Sequence, residues 1–160
     1  MRYLLDTVVL IWAVRGLHEA PRVLRRLRER GDLAVASITI LELRRALLPE
    51  EFRRAEEELE GVEVLPLDAG TARAAGDYLV RCFDEGYRTD FFAGIIQATA
   101  ARAGRALVTY GPHQYPLAEC ESVPRRARAV APAAAGAAGV GRAAPGTVGR
   151  ATGGAGPSPR

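Results

Sequence analysis

Short apolar runs alternate with longer amphipathic stretches along the first 124 residues. "RYLLD" (2–6) reads as a short buried strand, and "TVVLIWAVRG" (7–16) continues it as a helix that stops near Gly16. In "APRVLRRLRERG" (20–31), Val23, Leu24 and Leu27 form an apolar stripe and Gly31 ends the helix. "LAVAS" (33–37) is a second strand, and "SITILELRRALL" (37–48) a helix for which Ser37 is a suitable cap. "PEEFRRAEEELEG" (49–61) opens with proline and acids, as helix N-termini prefer. "VEVLPL" (62–67) is a third strand, followed by helices over "DAGTARAAGDYLVRCFDEG" (68–86) and "TDFFAGIIQATAARAG" (89–104). Thr89 or Asp90 caps the latter, "ALVTY" (106–110) is a fourth strand and "CESVP" (120–124) a short fifth.

Strands that alternate with helices predict an α/β fold, a parallel sheet of four to five strands flanked by helices. Sites in such sheets form beyond the carboxyl ends of the strands. No internal repeat is visible. Residues 125–160 depart from this pattern: apart from a few Val they hold no bulky apolar side chain. Such a segment buries too little surface to offset its ordering entropy, so the expectation is one domain over 1–124 and a disordered Ala/Gly/Pro/Arg-rich tail over 125–160.

Charge sharpens that division. Every one of the 22 basic residues is Arg. Residues 1–124 carry 16 Arg against 19 acids, whereas residues 125–160 carry 6 Arg and no acid. The overall pI of 9.2 therefore describes the tail, and the body offers no electrostatic argument for nucleic acid. A basic arm that touches RNA and a merely solvated extension are the two readings of the tail. Cys82 and Cys120 lack a CxxC spacing, which argues against a disulfide framework or zinc knuckle and fits a reducing cytoplasm. No run of 18 apolar residues predicts a membrane span, and no secretory signal pattern opens the chain.

Three carboxylates stand out. Asp6 ends the first strand, Glu42 lies one turn into the helix after the second, and Asp90 starts the helix before the fourth. Singly, Asp6 and Asp90 read equally as helix caps, and Glu42 as a solvated helix residue. Glu42, however, shares a face with Ile38 and Ala46, where an unpaired carboxylate is costly. Asp90 stands above Ala93, Gly94 and Gln97, and the small residues among them let the helix approach the sheet. Three acids gathered at one end of a parallel sheet repel one another unless a cation neutralises them. Hard oxygen donors select Mg²⁺ or Mn²⁺ over zinc, and such an ion activates water toward a phosphodiester.

With these residues in view, the chain resembles a known family. "YLLDTVVLIWAV", "SITILELRRALL", "VEVLPLD", "TDFFAGIIQATAARAG" and "ALVTYGPHQYP" occur in the order expected of a PIN domain, closest to VapC-type toxins of bacterial toxin–antitoxin pairs. The resemblance covers residues 1–124. It implies a Mg²⁺-dependent endoribonuclease acting on tRNA or other structured RNA, homodimeric, and silenced by a cognate antitoxin. By position, Asp6, Glu42 and Asp90 match the family's metal-binding acids. Thr7, Thr109 and His113 are candidate substrate contacts. The chain departs from the pattern at Val8, where the family commonly has Asn or Ser. It departs again after the fourth strand, where Gly111 replaces Asn and Gln114 replaces an acid or His, although Tyr115-Pro116 fits. These changes remove support for a second metal. The alternative is a PIN-like module whose site has weakened to RNA or partner binding. A nucleotide-binding fold finds no support, since no Gly-rich phosphate loop follows a strand.

Overall fold

A computed structural model describes residues 1–123; the expected tail lies outside the described residues. The strands are β1 (Arg2–Leu5), β2 (Asp32–Ala36), β3 (Glu63–Leu65), β4 (Ala106–Thr109) and β5 (Cys120–Ser122). The helices are α1 (Thr7–Val14), α2 (Ala20–Arg30), α3 (Ser37–Ala46), α4 (Phe52–Leu59), α5 (Ala69–Asp84) and α6 (Phe91–Arg102). All strand pairs are parallel, in the order β3-β2-β1-β4-β5. The chain thus starts in the middle of its sheet, runs outward on one side through β2 and β3, and returns to the other side of β1 with β4. That reversal makes the β1–β4 crevice the switch point of the sheet.

The two-residue period of the strands decides which helices cover which face. Tyr3, Leu5, Leu33, Val35, Val108 and Tyr110 point to one side, into a core with Val9, Leu10, Leu24, Leu27 and Leu43 from α1, α2 and α3. Leu4, Ala36 and Leu107 point to the other, against Ala93, Ile96 and Ala100 of α6 and against Tyr115. β2 offers only alanine on this second side, so α6 lies close to the sheet. The small residues of α6 divide their work. Ala93 faces the sheet, whereas Gly94 faces α5: a Cβ there would stand 2.8 Å from Leu79 Cγ.

Two local details of α3 differ from the sequence pattern. Ser37 does not cap α3; Ala36 holds the cap position and the Ser37 hydroxyl instead accepts the amide of Leu67 at 3.1 Å, tying the end of β3 to α3. Ala46 is exposed, so the apolar face of α3 ends one turn earlier than its spacing suggests. Trp12 is half-buried and stacks at a tilt on Tyr110 and His18, with ring centroids 4.5 and 4.1 Å apart.

At the amino ends of the strands, the buried Arg105 guanidinium reaches Tyr3 O of β1 (3.4 Å) and Asp32 O of β2 (3.3 Å) and pairs with Glu63 of β3. One side chain therefore links four neighbouring strands at the end away from the acids. Both cysteines are free, and among the described residues no helix is long and apolar enough to cross a membrane.

Candidate active site

Strand alternation carries directly into the site. Asp6 is two residues beyond Leu4, and Thr109 two beyond Leu107, so both leave their strands on the α6 side of the sheet. The Asp6 amide continues the ladder by donating to Val108 O at 3.0 Å. Asp6 occupies the cap position of α1, yet its side chain makes no capping bond. It accepts the Thr109 hydroxyl on Oδ2 at 2.5 Å, and the Tyr115 hydroxyl also donates to it. The carboxylate is thus turned chiefly toward Thr109 and Tyr115, while the Thr7 and Val8 amides at the start of α1 also favour its charge without forming a full capping bond.

Glu42 is reached from α1. Thr7 Oγ1 donates to Glu42 Oε2 at 2.5 Å, with Thr39 Oγ1 at 3.1 Å on its other side. Asp90 caps α6, its Oδ1 accepting the Ala93 amide at 2.8 Å, and is otherwise exposed. Its cap reading holds, but one oxygen suffices for that bond.

The electrostatics are those of an unneutralised acid pocket. Asp6 is 4% exposed, and burial raises its carboxyl above the ordinary value; the Thr109 and Tyr115 hydroxyls oppose that rise. Burial also raises Glu42, the Thr7 hydroxyl opposes it, and the charges of Asp6 and Asp90 push it further up. The three acids thus share one electrostatic neighbourhood. Among the described residues none of them joins an ion pair, although the surface arginines elsewhere are widely paired. Burial and the Asp6 charge push the Cys120 thiol up to about 11, so it stays protonated at neutral pH. Tyr115 is raised by burial and by Asp6, which keeps its proton available for donation.

The donor set suits a hard divalent cation: carboxylate oxygens, two of the groups desolvated and none in an ion pair among the described residues, with only the more distant charge of Arg45 favouring Glu42. The side chains as they stand are not a closed cage. Among the described residues, no group of three or more His, Cys, Asp and Glu is gathered tightly enough to enclose an ion.

The other candidates fall in different places. Thr7 and Thr109 are buried and turn their hydroxyls onto the acids, so they position Glu42 and Asp6 rather than reach toward a substrate. His113 is exposed in the turn Pro112–Gln114. Gln114 folds back over Gly111, where a Cβ would lie 3.3 Å from its Nε2. Two supporting residues escaped the sequence reading. Thr39 has no exposure, and its signal was a hydroxyl inside an apolar helix face. Tyr115 was visible only as an aromatic in the right place.

A PIN domain model matches residues 3–119. The chain belongs to the PIN domain family. PIN domains are in general nucleases that use divalent metal ions, which places this chain among hydrolases acting on nucleic acids. Solved structures share the fold. A chain of VapBC2 from Rickettsia felis, bound to a DNA fragment from the promoter, aligns with a TM-score of 0.66 at 17% identity, covering 75% of this chain and 96% of that one. DNA-bound VapBC from Salmonella typhimurium gives 0.62 at 23%, covering 72% and 91%. FitAcB from Neisseria gonorrhoeae gives 0.58 at 24%, covering 71% and 90%. No curated protein sequence matches the chain. In this PIN domain the match stops at 119, inside the described body and short of the tail.

Proposed function

We propose that this PIN domain is a VapC-type toxin, a Mg²⁺-dependent endoribonuclease that cuts tRNA or other structured RNA in the cytoplasm. The observation that carries the reading is the pair of desolvated, unneutralised carboxylates Asp6 and Glu42 at the sheet's switch point, with Asp90 close enough to raise Glu42. Asp6, Glu42 and Asp90 would hold the ion, with Mn²⁺ as a substitute. When bound there, a divalent cation supplies the charge that polarises a phosphodiester and makes water a competent nucleophile. The chain's own residues do the positioning. Thr109 and Tyr115 aim Asp6, Thr7 aims Glu42, and the Ala93 amide fixes Asp90. Burial of Asp6 keeps bulk water from competing at its oxygens.

Its structural neighbours include a toxin–antitoxin complex and a member of the VapBC family of toxin–antitoxin systems, which supports a protein antitoxin as partner. A homodimer completes the reading. The test is incubation of the full chain with total RNA in Mg²⁺ and then in EDTA, with single-stranded DNA as a control. Mg²⁺-dependent cleavage that EDTA stops supports the nuclease. A second reading has its own observation: the turn after β4 carries Gly111 and Gln114 in place of an acid, and no closed cage is present among the described residues. RNA binding without cleavage, in Mg²⁺ and in Mn²⁺, would favour that weakened binding module.

A further inference from the structure

The acid pocket has an electrostatic difficulty of its own. A phosphodiester strand is a polyanion, and Asp6, Glu42 and Asp90 share one neighbourhood. When all three are ionised, a divalent cation offsets two of the three charges, so the loaded pocket still repels the strand it acts on. The hydroxyls beside the acids give no help, because Thr7 and Thr109 are buried and spent on Glu42 and Asp6. A cation at the rim would remove the difficulty.

The arginines of α3 separate into two kinds. Arg44 is committed: its Nη2 pairs with Glu56 at 3.3 Å, and its guanidinium lies over the Phe52 ring, 4.6 Å from the centroid. Arg15, Arg28 and Arg53 likewise each have an acid. Arg45 is exposed and joins no ion pair among the described residues. It follows Glu42 by three residues, which makes the two side chains neighbours on the helix surface. Of the charges that act on Glu42, those of Asp6 and Asp90 are negative and that of Arg45 is positive. Glu42 itself is held by Thr7, so the Arg45 guanidinium stands beside the pocket without being docked into it.

We propose that Arg45 is a substrate-binding residue, whose guanidinium takes an RNA phosphate on the α3 side of the acid pocket. The planar fork of arginine matches two phosphate oxygens at once, and exposure leaves it free to follow the strand. The proposal rests on the nuclease reading for the identity of the polyanion and adds the contact that brings it to the acids. Arg44, one position away, is a structural residue with the same charge.

Fluorescence anisotropy of a labelled oligoribonucleotide of about 12 nucleotides, titrated with the full chain in Ca²⁺ over about 50–200 mM KCl, reads binding apart from cleavage. Arg45→Ala should weaken binding about threefold, the effect of an exposed ion pair. It should also flatten the dependence of log K on log salt by about 0.7, one phosphate contact on a single strand. Arg45→Lys keeps a point charge and should restore the salt dependence with part of the affinity. Arg54→Ala removes the same charge from an exposed arginine of α4 that joins no ion pair among the described residues, and it should change neither quantity. Because Arg45 is exposed and unpaired, its melting temperature should move by no more than about 2 °C. An unchanged salt dependence in Arg45→Ala overturns the proposal. So does an equal effect of Arg54→Ala, which would reduce the matter to net charge, and so does an unmodified chain that binds no RNA. A changed Mn²⁺ affinity of Arg45→Ala by calorimetry, with RNA binding intact, would make the guanidinium a counter-charge for Glu42 and overturn it as well. RNA that stays whole in Mg²⁺ yet is bound through Arg45 would sink the nuclease reading and leave this contact standing.

Discussion

Thr109→Val tests how the acid pocket is held. The change is nearly isosteric, and the site is fully buried, so packing is preserved and the hydroxyl alone is lost. Two bonds go with it: the 2.5 Å donation to Asp6 Oδ2 and the 2.9 Å acceptance of the Gly111 amide. A hydrogen bond to a charged group contributes about 1.5–3 kcal/mol, and a buried amide left unpaired costs about 1–3 kcal/mol. Allowing for the greater hydrophobicity of valine, we expect a loss of about 3 kcal/mol at pH 8 in metal-free buffer, or a Tm lower by roughly 10–15 °C in a domain of this size. The cost should depend on pH. Asp6 titrates above its ordinary value of 3.8 because it is buried. Its contribution to stability is therefore complete below about pH 3.8 and is lost as pH rises through the folded value. The Thr109 hydroxyl lowers that folded value; without it the value rises further and more stability is lost on the alkaline side. At pH 3, below even the ordinary carboxyl value of 3.8, Asp6 is protonated in the folded chain, and the cost should fall to about 1–2 kcal/mol. Urea unfolding at both pH values, followed through the fluorescence of Trp12, measures this directly. A double-mutant cycle with Asp6→Asn should show coupling of about 1 kcal/mol or more. A cost under about 1 kcal/mol at pH 8, or one equal at both pH values and in both backgrounds, would refute the reasoning.

Mn²⁺ or Mg²⁺ at 100 times its dissociation constant should stabilise the chain by about 2.7 kcal/mol, EDTA should reverse this, and Asp90→Asn should abolish both the shift and RNA cleavage while the fold persists. Gln114→Asp should tighten Mn²⁺ binding by calorimetry and raise the cleavage rate, and the gain should vanish when Asp90→Asn is added, because the new acid acts only through the metal. Gly94→Ala forces a Cβ to 2.8 Å from Leu79 Cγ and should cost about 1–3 kcal/mol in thermal unfolding; a neutral result would show that α5 and α6 slide apart freely. A chain ended after Pro124 should keep its Tm within about 2 °C of the full length, since residues 125–160 hold no large apolar side chain, and a larger drop would show that this segment packs.

The alternation of periods along the chain was enough to read the fold, because parallel strands covered on both sides need apolar residues at every position and helices need only a stripe. The acids were legible as suspects for a similar reason: a charge breaking "RYLL" from "VVLIW" has few physical excuses. What set Asp6 apart from a plain cap was its burial against the hydroxyls of Thr109 and Tyr115, which come from the far end of the chain. Thr7 and Thr109 illustrate the opposite limit. Thr7 stands next to Asp6 in the sequence and Thr109 was read from its place after the fourth strand, but whether a hydroxyl points at a carboxylate or into solvent depends on strand register and on a neighbour 35 or 103 residues away. Arg105 was invisible for the same reason, since its partners lie on three other strands.

The strand order bears on the timing of synthesis. β1 is made well before its neighbour β4, and the Asp6–Thr109 bond closes a loop of 103 residues. Long-range closures of this kind are slow and come late. Until β4 is made, a nascent chain therefore carries Asp6 without the strand that shapes its surroundings. Prematurely terminated chains ending before residue 109 cannot assemble the pocket at all, and they present β1 with one edge unpaired. For a chain read as a toxin, such fragments would be harmless to RNA and prone to aggregate.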